Sequence, residues 1–195
     1  MQFRLTYEGP LYGSSRTNHG RADHKHEIRK VFHKQLKRLW EITPMLANRV
    51  GHIEGVQKPQ SEVLATHFTR NGYRFVPLVV EPLALLCRLD ILFLRPDPPG
   101  SLVKSGDIDN RLKTLFDALR MPEHLGELGG HTVPGEGEDP FYCLLQDDKL
   151  ITYISVETDL LLEPIGAEPS IMDARLIINV TVRPASIIIA NLDFV

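Results

Sequence analysis

The chain of 195 residues carries 22 Lys plus Arg against 25 Asp plus Glu, a formal net charge of −3, with 43% hydrophobic and 24% charged residues. Those proportions are globular averages and exclude a disordered chain, a collagen-like repeat and a disulfide-stapled miniprotein. At ~100–200 residues per domain, one domain spanning 1–195 is expected, large enough to bury a core. A negative total argues against a nucleic-acid partner, because such proteins neutralise phosphates with excess Lys and Arg. The distribution argues otherwise: net charge is +5 over residues 1–41, +2 over 42–120 and −10 over 121–195. One end is suited to a polyanion and the other is rich in carboxylates.

Phe3, Leu5 and Tyr7 alternate with polar residues, which predicts a strand ended by Gly9-Pro10. From about Asp23 to Ile42, the residues Ile28, Val31, Phe32, Leu36, Leu39 and Trp40 recur at helical spacing, with Arg29, Lys30, Lys34, Lys37 and Arg38 on the remaining faces and Pro44 as a stop. Residues 43–72 leave helix and strand open, Val63–Phe68 being a short segment of either kind. Asn71-Gly72 is a turn, followed by a strand from Tyr73 to Val80 that Pro77 assigns to an edge or a bulge. Leu85 to Leu94 reads as a strand, with Cys87 in its core. Asp97-Pro98-Pro99-Gly100 breaks the chain. Asn110 to Met121 is a helix by the spacing of Leu112, Leu115, Phe116 and Leu119, with Asp109 placed to cap it.

An irregular acidic loop is expected at about 122–145, with its Gly, Pro and Glu concentrated over 122–142. Strands follow from Leu150, after Gln146-Asp147-Asp148-Lys149, and over Leu176–Val182, with Ile187–Ile189 a further candidate. The order β, α, β, β, α, loop, β, β predicts an α+β domain, a mixed sheet with two main helices on one face. Cys87 and Cys143 show neither CxxC nor zinc spacing. MQFRLTYEGP lacks a signal pattern, and no apolar run approaches the ~20 residues that span a membrane. The expectation is a cytoplasmic protein without membrane contact.

Three features carry chemistry. If residues 107–109 are extended, Asp107 and Asp109 point the same way. Lys113 follows Asp109 by one helical turn. Asp147-Asp148 heads a strand, where scaffolds present chemistry. Two negative charges ~4 Å apart repel by about 4 kcal/mol at an effective dielectric of 20, so a shared proton or a cation is needed between them. Mg²⁺ takes such oxygen ligands, polarises phosphoryl oxygens and lowers the pKa of water, and a neighbouring Lys neutralises charge developing on phosphate.

The run Asp107-Ile108-Asp109-Asn110-Arg111-Leu112-Lys113 with Phe116-Asp117-Ala118-Leu119, then Asp147-Asp148 before a strand, resembles the RusA family of Holliday junction resolvases. The resemblance is sharp over about residues 103–120 and 145–156 and architectural elsewhere. It implies a RusA-like fold and a homodimeric, Mg²⁺-dependent endonuclease cutting four-way DNA junctions, with Mn²⁺ as a possible substitute ion. It assigns Asp107, Asp109 and Asp148 to the metal, with Asp147 alongside, and Lys113 to the scissile phosphate or the leaving oxygen. Arg16, Arg21, Lys25, Lys30, Lys34, Lys37, Lys104 and Arg111 are candidate DNA contacts. His19, His24 and His26 are expected at the surface near phosphate; His124 and His131 receive no role. Where the family often has a run of Arg before its first Asp, this chain has Lys104-Ser105-Gly106, and its acidic segment before Asp147 is longer than the family's short turn. Those departures keep open a structure-selective DNA-binding protein that does not cut; a third reading is a transferase whose DxD holds a metal–nucleotide complex, for which no Gly-rich phosphate loop is found.

Overall fold

The computed structural model describes residues 1–13, 20–96, 108–168 and 170–195. The Asp97–Gly100 break lies outside them. Strand β1 (Gln2–Pro10) follows the expected alternation: Leu5, Tyr7 and Gly9 are buried, and Gln2, Arg4, Thr6 and Glu8 are exposed. Helix α1 (Gly20–Ile42) is followed by the short α2 (Pro44–Ala47), so Pro44 starts a new helix as well as ending the old one. A hairpin of β2 (Val50–Ile53) and β3 (Val56–Pro59) leads to α3 (Gln60–His67), which resolves the ambiguous segment as helix. Asn71 and Gly72, at φ 55° and 81°, then turn β4 (Thr69–Arg70) into β5 (Tyr73–Val79). Strand β6 (Leu85–Arg95), helix α4 (Ile108–Leu119) and strands β7 (Phe141–Leu145), β8 (Ile151–Leu160) and β9 (Asp173–Pro184) complete the α+β fold.

The main sheet has the order β1-β9-β6-β8, antiparallel at its first two junctions and parallel between β6 and β8. Along β6, every odd residue from Leu85 to Arg95 is buried, as strand periodicity demands of a central strand with one covered face. Apolar residues of that face, of α1 and of α4 belong to one core. A second sheet, β4-β5-β7, adds Tyr73, Phe75 and Phe141 to it. Pro77 is tolerated because β4 pairs only with Arg74 and Tyr73, which leaves that side of β5 without a ladder partner at Pro77.

Three expectations need correction. Residues Phe141–Leu145 form β7, so the acidic loop ends at Pro140. Ile187–Ile189 is no strand: Ile189 opens a 3-10 turn running to Phe194 and is 92% exposed. His26, read as a surface group, and Arg29, placed on the polar faces of α1, are buried because that side of α1 packs against the end of α4 and against β7 with its preceding loop. Among the described residues, no helix is long and apolar enough to cross a membrane.

Candidate functional site

Helix α4 begins at Ile108, two residues before the expected start, so Asp109 lies inside the first turn. The two-residue alternation invoked for Asp107 and Asp109 therefore does not apply to Asp109. Asp107, Arg16 and Lys104 fall outside the described residues. A carboxylate in a first turn is already favoured by the helix dipole. Asp109 and Lys113 are both exposed, one turn apart.

Asp147-Asp148 heads β8 as expected, through a 3-10 turn over Asp148–Leu150. Asp147 caps that turn: its Oδ1 accepts from the Lys149 N–H at 3.0 Å, and its Oδ2 lies 3.7 Å from the Lys149 ammonium. Lys149 also pairs with Glu81 at 2.7 Å. Asp148 is exposed.

These carboxylates are not gathered in one chain. The Gln146 N–H donates to Val79 O at 3.0 Å, and Ile151 pairs with Cys87, so Asp147 and Asp148 stand at the beginning of β6. Arg111 donates to Ile171 O at 3.0 Å, just before the start of β9, and β9 pairs there with the end of β6 at Leu94. Cys87 and Leu94 are about 23 Å apart along an extended strand. Helix α4 spans the same interval: Met121 N–H donates to Leu145 O at 2.8 Å just past its end, and Asp109 lies about 15 Å back along the helix from Leu119. Consistently, Asp109, Asp147 and Asp148 form no group with all ligand oxygens within 4.8 Å of one another. Their oxygen donors suit a hard cation, but as placed in a single chain they do not fit around one ion.

The candidate DNA contacts divide. Lys25 pairs with Asp117 at 2.6 Å between α1 and α4, and Lys30 with Glu27 at 2.7 Å. Lys37 donates to Gly137 O at 3.1 Å. Arg111 is 3% exposed and braces α4 against the start of β9, so it is removed from the DNA-facing set. Arg21 is partly buried at the start of α1. Lys34 is exposed and lines a groove of about 410 Å³ between β1 and α1 with Arg4 and Arg38. Arg4 and Arg38 were not among the predicted contacts. Their signal was available, Arg38 lying one turn after Lys34 and Arg4 on the polar side of β1.

The acidic loop is bound into the fold. Asp139 takes two bonds from Arg74, at 2.9 and 3.2 Å; Glu127 and Glu123 pair with Arg120 at 3.1 and 3.7 Å. His131 pairs with Asp23 at 3.0 Å and lies 3.6 Å from Glu27. Asp23, Glu27 and His131 thus gather three potential ligand atoms within 4.8 Å, as do Glu123, His124 and Glu127. The i,i+4 spacing of Asp23 and Glu27 was legible; the approach of His131 was not. Among known proteins, no protein-family profile matches the chain, nor does any curated sequence or solved structure.

Proposed function

We propose that this chain is a metal-dependent endonuclease acting on branched DNA, with a RusA-like arrangement of sheet and helices, serving recombination or repair. One observation carries the reading: the DxDN-x2-K and F-D-A-L pattern opens a helix, a D-D pair opens the strand that follows β7, and Asp109, Lys113 and Asp148 are all solvent-exposed. The groove flanked by Arg4, Lys34 and Arg38 adds a surface suited to a phosphate backbone. Among the described residues, Asp109, Asp147 and Asp148 do not converge on one ion.

The test is cleavage of a synthetic four-way junction, compared with a linear duplex, in Mg²⁺ and in EDTA. The expected result is nicking of the junction only with the ion, and a loss of at least ~100-fold in Asp109→Asn with junction binding retained. Equal cutting by variant and wild type overturns the assignment. The separation of Asp109 from Asp148 favours a second reading, a structure-selective DNA-binding protein that does not cut. Salt-sensitive junction binding without nicking in Mg²⁺ or Mn²⁺ selects it.

A further inference from the structure

Lys34 and Arg38, one turn apart and both exposed, form a ridge on α1 with a groove on either side. The groove toward β1, about 410 Å³, adds Arg4 and has no carboxylate in its lining. The groove toward the loop before β7, about 380 Å³, adds Lys37 but is walled by Glu41, Glu136 and Glu138. Each groove therefore holds three cations, and only the second sets carboxylates against them. The loop wall is fixed in place. Gly137 O accepts from Lys37 Nζ at 3.1 Å and from His33 Nε2 at 3.2 Å, and Asp139 takes its two bonds from Arg74. Glu138, between these anchors, accepts from the Gly135 N–H at 2.8 Å. The segment that carries Glu136 and Glu138 cannot withdraw without breaking those bonds. A phosphate entering the second groove is met by like charge at short range, where salt screens it least.

We infer that Glu136 and Glu138 form an acidic fence, which shuts a DNA backbone out of the loop-side groove and confines it to the β1 side of the Lys34–Arg38 ridge. The inference rests on the DNA-binding part of the proposed function and holds whether or not the chain cuts. It makes Lys37 a loop anchor and not a phosphate contact, although Lys37 lines the same basic ridge. With the fence neutralised, a phosphate displaces Gly137 O from the Lys37 ammonium, because a charged acceptor holds an ammonium more strongly than a neutral carbonyl does.

The test is the salt dependence of binding to a labelled four-way junction and to a linear duplex, read by fluorescence anisotropy. Glu136→Gln combined with Glu138→Gln removes two charges at nearly constant size and keeps an acceptor for the Gly135 N–H. The expected result is tighter binding and a slope of log affinity against log salt steeper by about 1, as one more phosphate contact requires. Adding Lys37→Gln abolishes that gain, whereas Lys37→Gln in the wild-type chain leaves the slope unchanged. Glu157→Gln combined with Glu163→Gln removes the same charge from exposed positions in and just after β8, the edge of the main sheet opposite β1, and leaves the slope unchanged. A fence variant that binds like the wild type, equal gains from the two charge-matched pairs, or a wild-type slope that falls by about 1 with Lys37→Gln each overturns the fence and leaves DNA binding standing. A wild type that binds neither DNA overturns the DNA-binding reading and the fence together.

Discussion

Arg29 is a cation at 1% exposure. Its Nη2 donates to Asp117 O at 2.8 Å, its Nε to Arg120 O at 3.3 Å, and its Nη1 to Glu127 O at 3.4 Å. The first two carbonyls belong to the end of α4, where backbone acceptors lack helical donors and the dipole is negative. Arg29 therefore acts as a C-terminal cap delivered from another helix, and burial lowers its pKa. Its Nη1 also faces His26 Nδ1 at 3.2 Å. Burial first, and the Arg29 charge second, lower the His26 pKa to about 3. Burial likewise lowers His24 and His33. At His33, burial favours the neutral ring, whose Nδ1 accepts from the Tyr142 N–H at 2.8 Å and whose Nε2 donates to Gly137 O at 3.2 Å, a bond that partly opposes the lowering. Below the ordinary histidine pKa of about 6.5, the unfolded chain binds protons that the folded chain refuses, so stability falls as pH drops from there toward about 3. The urea midpoint is expected to be level from pH 8 to 7 and to decline through pH 6 to 4. His26→Asn, which keeps an acceptor near the Nδ1 position, flattens that decline and leaves the residue from His24 and His33. An unchanged slope in the variant removes His26 from the account.

Among the elements, the loop before β7 depends on Gly129. Its φ is +62°, and a Cβ there would lie 2.2 Å from Asp23 Cα and 2.3 Å from Asp23 N, which is backbone and cannot swing away. This close approach seats the loop on the first turns of α1 and brings His131 to Asp23. Gly129→Ala is expected to cost about 2–4 kcal/mol in denaturant unfolding. Gly126→Ala, in the same loop with open space around it, is expected to stay within ~0.5 kcal/mol. Equal effects at the two positions contradict the packing argument. None of this was legible in the sequence, where Gly129-Gly130 reads only as a loop. The elements that were legible have one covered face: β1, β6, β9 and the apolar stripe of α4 show their period because half of each meets water. Strand β7 was missed for the opposite reason. Phe141-Tyr142-Cys143-Leu144-Leu145 is a five-residue apolar run, and four of those residues are buried, so alternation is erased. At the candidate site, the motif located Asp109, Lys113 and Asp148 at element ends. Their separation depends on the tertiary path of α4 along β6, on which local spacing is silent.

Across the whole molecule, net charge is a poor guide to polyanion binding because it does not tell which charges are paired within the fold and which face solvent. The −10 of residues 121–195 includes Glu123, Glu127 and Asp139, which are tied to Arg120 and Arg74. On the basic side, Lys25 is drawn onto Asp117 with both side chains about one-fifth exposed, whereas Lys34 is exposed and Arg38 pairs with Glu41 across open surface, at 3.2 Å. Surface pairs of that kind are worth ~0–1 kcal/mol, so a phosphate competes easily for Arg38. Each phosphate contact on duplex DNA releases counterions and adds about 0.9 to the slope of log affinity against log salt. If the groove between β1 and α1 carries the backbone, Lys34→Ala and Arg38→Ala each lower the slope for a labelled four-way junction by about 1. Lys25→Ala leaves the slope unchanged, because its ammonium neutralises a carboxylate of the protein and not a phosphate. Fluorescence anisotropy from 50 to 300 mM NaCl measures all three. A drop of about 1 with Lys25→Ala, and none with the other two, moves the DNA path from this groove to the start of α1 beside α4.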